Sequence, residues 1–326
     1  MDCSAVCDLS RGGAFVSERV ADAHVDVLMR MVEEGLSFDD GRLSAGHTAL
    51  TAGGVGTQVF ALFVWPHLSP QDQLEQVLRE LDCFYRQVVT SGTVEAVRTW
   101  QDAETAMAKG RIAGLLSLEG GGCLHGQVHV LRNLYDLGVR GMGLTWNDAN
   151  ELADGCREPR GAGLTRAGRE VVRELVRLGM WVDIAHLSDR GVYDVFDLVD
   201  APVMASHANA RAVYNHPRNL NDDVIQEVVR RNGWIGLTFE ASFLGNPSDV
   251  TVDDALRHLE HLLELGAEDC VGFGSDFDGT SHPVPGLSSA ADYGTLRLGI
   301  AKRYGENVAA KVCAGNFERY LRQILS

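Results

Sequence analysis

The chain has 326 residues, 45% of them hydrophobic and 23% charged. That length buries about three quarters of the surface exposed by the unfolded form, which excludes a disordered chain or a small fold held by disulfides. Its 29 basic against 45 acidic residues give a net charge of −16, a sign that repels phosphate backbones and anionic headgroups, so neither nucleic acid nor a membrane surface is an expected partner.

The N-terminal stretch MDCSAVCDLSRGG carries acids where a signal peptide needs bases, and it has no apolar core. Residues 1–20 read as an extension, and a cytoplasmic location is the expectation. From there the chain repeats one architecture: a short β-branched or apolar run ending in polar residues, followed by a longer amphipathic stretch. The runs are ADAHVDVL, GTQVFALFVW, RIAGLLSLEG, VRGMGLTWND, MWVDIAHLS, APVMASHA, WIGLTFEA and CVGFGSDFDG. The longest unbroken apolar segment, Val59 to Trp65, is far shorter than the ~20 residues that span a bilayer and suits a buried strand.

Ser69-Pro70, Thr165 and Asn221-Asp222 open helical runs that extend to about Val89, Leu178 and Arg231. Gly138, Gly179, Gly233 and Gly266 each stand between a helical run and the next strand, where a helix end needs positive φ. Eight βα units without a Gly-rich phosphate loop after the first strand predict a single (β/α)8 barrel rather than an open doubly wound sheet. One domain spans residues 1–326, with residues 280–326 as a helical segment packed on the barrel. The seven cysteines are scattered without a CxxC pair and read as buried thiols.

A barrel of this kind presents the C-terminal ends of its strands to the active site, and metal-ligand residue types stand there. His24 and Asp26 are two apart and share a strand face. Glu119 precedes three glycines, and His186, His207 and Asp276 end three later runs. Three histidines and three carboxylates exceed the needs of one four-coordinate zinc, whereas one carboxylate can bridge two ions. The only lysines, Lys109, Lys302 and Lys311, lie away from strand ends, which leaves Glu119 as the bridge. The pairs His125/His129 and His258/His261 have helical spacing without a third ligand, and read as solvated helix faces.

DAHVD (22–26), SLEGG (117–121), DIAHLS (183–188), SHANARAV (206–213), RNLNDD (218–223) and GFGSDFDG (272–279) together resemble, in order, the membrane (renal) dipeptidase family of the amidohydrolase superfamily. The resemblance implies a (β/α)8 fold and two zinc ions, one held by His24, Asp26 and Glu119, the other by Glu119, His186 and His207. It implies a metal-bridging hydroxide that attacks a dipeptide, with tolerance of a C-terminal D-residue. Asp276 matches the family's proton-handling aspartate, Arg218 its arginine for the free carboxylate, and family members often pair as homodimers. Arg218 has a rival reading as a loop ion pair with Asp222 or Asp223, and Asp276 as part of a turn capped by Asp278.

Two departures stand out. Trp146-Asn147 occupies the place of a carbonyl-polarising histidine, so oxyanion stabilisation passes to Trp146 N–H, Asn147 or the metals. Glu240 stands where relatives carry a tyrosine, and adds negative charge that favours an amine-bearing substrate. Both leave room for an alternative amide, lactam or natural-product peptide as substrate; a barrel that binds metal without turnover is the third reading.

Overall fold

In the computed structural model, which describes residues 19–326, nine parallel strands form one sheet: β1 Val20–Val25, β2 Val55–Phe63, β3 Val94–Ala96, β4 Ile112–Glu119, β5 Val139–Gly143, β6 Trp181–Asp183, β7 Met204–Ala205, β8 Trp234–Leu237 and β9 Val271–Phe273. Their order is β2-β1-β9-β8-β7-β6-β5-β4-β3, and a further β2–β4 pairing closes the barrel. That pairing runs in register from Thr57↔Ala113 to Phe63↔Glu119. Eight strands make the barrel; the ninth, β3, is a short strand that the sequence reading lacks, attached to the start of β4 from Val94↔Ile112 to Ala96↔Gly114. The closing strands are buried throughout, as continuous apolar runs require when helices cover one face and the barrel interior the other.

The three helices begin at the expected residues. Ser69 caps the helix Pro70–Cys83 by accepting from the Asp72 N–H at 3.3 Å. Thr165 caps Arg166–Arg177 by accepting from Gly168 N–H at 3.0 Å. Asn221 precedes Asp222–Arg230 without a side-chain cap. One helix end differs from expectation: Asn232, at φ 53°, is the left-handed residue, while Gly233 is not. Gly233 answers a packing need, because a Cβ there would lie 2.4 Å from the Val203 carbonyl oxygen.

The lower end of the barrel is filled by large side chains. Trp181 and Trp234 are fully buried, and a Cβ on Gly141 would fall 1.7 Å from the Trp181 ring, so glycine is what admits that indole. Helices Tyr293–Tyr304, Glu306–Ala310 and Asn316–Ile324 follow β9. Phe317 packs on Trp234 with ring centroids 4.6 Å apart, and Trp100 N–H donates to the Leu325 carbonyl at 3.0 Å. β1 begins at Val20, so the expected extension of 1–20 overlaps the barrel at its last residue; residues 1–18, with Cys3 and Cys7, lie outside the described region. Of the five described cysteines, all free, Cys83, Cys123, Cys270 and Cys313 are buried and Cys156 is half-buried. Among the described residues no helix is long and apolar enough to cross a membrane.

Candidate metal centre

His24 and Asp26 project from the end of β1, Glu119 from the end of β4, His186 and His207 from just beyond β6 and β7, and Asp276 from the turn after β9. The closed barrel brings all six together. Ligating atoms of His24, Asp26 and Glu119, of Glu119, His186 and His207, and of His24, His207 and Asp276 form three groups within 4.8 Å. Glu119 divides its two oxygens: Oε2 lies 3.2 Å from His24 Nε2, while Oε1 lies 3.0 Å from His186 Nε2 and 3.7 Å from His207 Nε2. Asp26 Oδ2 is 3.5 Å and Asp276 Oδ1 3.9 Å from His24 Nε2.

Two of these residues sit in backbone conformations that side chains seldom adopt. His186 has φ 66° and Asp276 φ 67°, each a local strain of about 1–3 kcal/mol that surrounding structure must hold. The glycines after Glu119 let the chain leave without crowding the cluster: Gly120 has φ 93°, and a Cβ there would meet Val64 Cγ2 at 2.7 Å.

The electrostatics call for cations. Burial, then the neighbouring Asp26 carboxylate, pushes the Asp276 carboxyl well above its usual range. Burial and Glu119 raise Asp26 to about 6. Burial opposes charge on Glu119, yet His24 and His186 hold its pKa well below normal. Burial and the Arg218 charge take His186 down to about 3, and burial with His24 takes His207 well below its ordinary value, so both imidazoles are neutral and offer lone pairs. His186 Nδ1 faces Asn147 Oδ1 at 3.0 Å. An amide oxygen only accepts, so Nδ1 carries the proton and Nε2 the lone pair, directed at His207 Nε2 2.8 Å away. His24 Nε2 and Asp26 Oδ1 are buried without a hydrogen-bond partner. Orphaned donor atoms, nitrogen and oxygen ligands and crowded carboxylates fit divalent cations.

The other expected site residues fall into different surroundings. Trp146 lines a cavity of about 370 Å³ that also reaches Asp26, Glu119, His186 and Asp276. Its ring packs edge-on to Phe63 and Trp65, at 5.6 and 6.1 Å between centroids, making an aromatic wall. Asn147 lines the cavity too, but its Oδ1 is committed to orienting His186. Glu240 is at the rim, where its carboxylate accepts from the Ser242 N–H and hydroxyl, from the Ser281 and His282 N–H groups, and meets His282 Nδ1 at 3.2 Å. These bonds turn Glu240 into a staple between two rim loops.

Arg218 is 2% exposed; a terminal nitrogen donates to the His207 carbonyl at 2.9 Å and its guanidinium lies 5.3 Å over the Phe243 ring. The rival partners are engaged elsewhere, Asp222 with His261 and Asp223 with Tyr193. Arg157, which the sequence reading lacks, lines the cavity itself; it stands in an irregular loop where no periodicity singled it out. Asp278 does not cap its own turn, which Gly279 and Thr280 N–H close on the Asp276 carbonyl; its carboxylate instead accepts from Ser44 and Ala45 N–H and from Arg30, tying the turn to a distant loop. His125 and His129 are both exposed, but they share no helix face, because His125 is a left-handed residue ahead of the helix Val128–Asp136 that carries His129; His258, by contrast, is fully buried. Its Nδ1 accepts from Ala210 N–H at 3.1 Å and its Nε2 faces the Leu244 carbonyl at 3.3 Å, so a solvated face is the wrong description there.

Histidines and carboxylates converging at the C-terminal mouth of a (β/α)8 barrel define the class: a metal-dependent hydrolase. Residues 15–326 match the family model described as membrane dipeptidase, peptidase family M19. An uncharacterized dipeptidase of Schizosaccharomyces pombe is 32% identical over 316 residues, covering 87% of this chain and 75% of that protein. Among solved structures, a metallopeptidase from Rhodobacter sphaeroides bound to a phosphinate mimic of the dipeptide L-Ala-D-Ala superposes with TM-score 0.88 at 26% identity, over 94% of this chain and 99% of that one. Dipeptidase AC, an M19 metallopeptidase, gives TM-score 0.89 at 27% identity, over 95% and 99%. The chain belongs to the membrane dipeptidase family, and is a metallopeptidase that hydrolyses dipeptides.

Proposed function

We propose that this dipeptidase works with two divalent ions, zinc foremost, one held by His24, Asp26 and Glu119 and the other by Glu119, His186 and His207. The observation that carries this reading is the split of the Glu119 carboxylate, one oxygen turned to His24 and the other to His186 and His207. When bound, such ions supply Lewis acidity for the scissile carbonyl and lower the pKa of water. Asp276, at the cavity edge and 3.9 Å from His24 Nε2, takes the proton of the attacking water and returns it to the leaving amine. Arg218 holds the substrate's free carboxylate, a task suited to a planar guanidinium. Trp146 closes the cavity wall and excludes water from it. The dipeptide mimic in the Rhodobacter sphaeroides enzyme ends in D-Ala, which supports acceptance of a D-residue at the C-terminal position here.

The test is hydrolysis of a panel of L,L and L,D dipeptides by zinc-reconstituted protein, with a chelated sample and an N-acetylated dipeptide as controls. Chelator-sensitive cleavage of free dipeptides, with two zinc ions per chain, is the expected result. Silence across the panel with two ions bound overturns it. The aromatic wall of Phe63, Trp65 and Trp146 favours a second reading, a larger apolar amide or natural-product peptide as substrate. Under that reading dipeptides fail while N-acyl amino acids or lactams turn over.

A further inference from the structure

Two buried aspartates that are themselves no part of the ligand groups repeat one construction at two strand pairs of the barrel, β1/β9 and β6/β7, with β8 between them. Asp22 Oδ1 accepts from the N–H of His24, two residues on, at 3.2 Å, and from the N–H of Ser275 on the neighbouring strand end at 2.9 Å. Asp183 Oδ1 accepts from the N–H of Ala185, again two residues on, at 2.9 Å, and from the N–H of Ser206 on its neighbour at 3.0 Å. Each serine immediately precedes a cluster residue, Asp276 in one case and His207 in the other. Each clip also fixes the backbone just before a left-handed residue: Ser275 before Asp276 and Ala185 before His186.

The hydroxyls extend the clips toward the chemistry. Ser275 Oγ donates to Asp22 Oδ2 at 2.7 Å, Tyr293 Oη donates to the same oxygen at 2.5 Å, and Ser206 Oγ meets His207 Nδ1 at 2.8 Å. Each carboxylate thereby ties together one pair of side chains that face each other in the cluster. Asp22 serves His24 and Asp276, and Asp183 serves His186 and His207.

We infer that Asp22 and Asp183 are positioning residues, each setting the geometry of one half of the metal cluster through backbone N–H groups rather than by touching metal or substrate. A strained residue persists only where its surroundings over-determine it, and an acceptor shared by the two strand ends does this for both partners at once. The inference rests on the two-ion reading above for its site-by-site form.

The experiment is equilibrium dialysis of zinc against the full-length protein and its Asp183→Ala and Asp22→Ala variants, with thermal melting of each metal-free sample. Loss of an outer-shell partner lowers metal affinity about 10- to 100-fold. Asp183→Ala is expected to weaken one ion by that factor and leave the other within about threefold, and Asp22→Ala to weaken the other ion. Asp183→Asn and Asp22→Asn, which keep an oxygen for the two N–H groups, are expected to restore most of the affinity. If the alanine variants do not fold, Asp183→Glu and Asp22→Glu keep the charge, displace the acceptor and should show the same loss. Unchanged affinities overturn the inference, as does loss of both ions in parallel with a lowered melting temperature and no rescue by asparagine. Should the unaltered protein take a single ion, the two-ion reading fails. The inference then stands if one of the variants weakens that ion at least tenfold and falls if neither does.

Discussion

Glu119 is the residue on which the cluster turns, and its neutral isostere isolates the charge. Glu119→Gln is expected to lower kcat/KM at least about 100-fold and to release at least one ion, since an amide cannot serve two cations as a carboxylate does. Steady-state kinetics paired with elemental analysis checks this, and full activity with the metal content retained rejects it. Of the two arginines, Arg157 lines the cavity, whereas Arg218 is buried outside its lining and reaches the cluster through the His207 carbonyl. Arg218→Met should raise KM for free dipeptides about 10- to 100-fold, the value of a charged hydrogen bond, and abolish the preference for a free over an amidated C-terminus. Arg157→Met should change that preference no more than about threefold. A preference that survives Arg218→Met, or disappears with Arg157→Met, reverses the assignment. The ligating residue types were legible in the sequence because strand ends expose them. What Asn147, Glu240 and Arg218 touch was not, because it depends on loops folding back from distant parts of the chain. Glu240 lines the cavity as the expected negative charge, and its rim hydrogen bonds, which hold its pKa below the usual value against burial, are what the sequence does not show.

At the scale of elements, the helix Val252–Glu264 reaches the site through His258. Its Nδ1 holds Ala210 N–H in the loop that joins His207 to Arg218, and a proton on that nitrogen removes the acceptor. Burial depresses the folded pKa to about 4, against about 6.5 in the unfolded chain. Between these values the unfolded state binds more protons, so this contribution is complete above about pH 6.5 and is lost as pH falls toward 4, at most about 3 kcal/mol. Denaturant unfolding of the metal-free protein at pH 7.5, 6, 5 and 4 should show that decline, and His258→Gln should flatten it. Equal slopes in both proteins would remove His258 from the account. Apolar periodicity missed this residue because a histidine at helical spacing looks the same whether its face meets water or a loop. The short β3 escaped for a related reason: three residues that pair only on one side leave no pattern distinct from the loop around them.

For the whole molecule, the repeating βα rhythm made the barrel legible, since each strand run and each helix run has its own period. Closure was not readable, because β2 and β4 pair across an inserted β3 and its helix rather than in simple succession. Metal and fold are thermodynamically linked. Ions that bind only the folded chain stabilise it by about 4 kcal/mol at a thousandfold excess over Kd. Chelation is therefore expected to lower Tm by on the order of 10 °C, recoverable on adding zinc; an unchanged Tm would mean that no ion binds the folded chain in preference to the unfolded one.

The bond from Tyr293 to Asp22 joins residues 271 apart in sequence. During synthesis His24 and Asp26 leave the ribosome first, while Ser275, Asp276 and Tyr293 follow only after most of the polypeptide has emerged. A nascent chain thus carries His24 and Asp26 before the groups that square them exist, and the cluster completes only once Asp276 and Tyr293 have emerged. The complete cluster is in this sense a late event in the life of each chain.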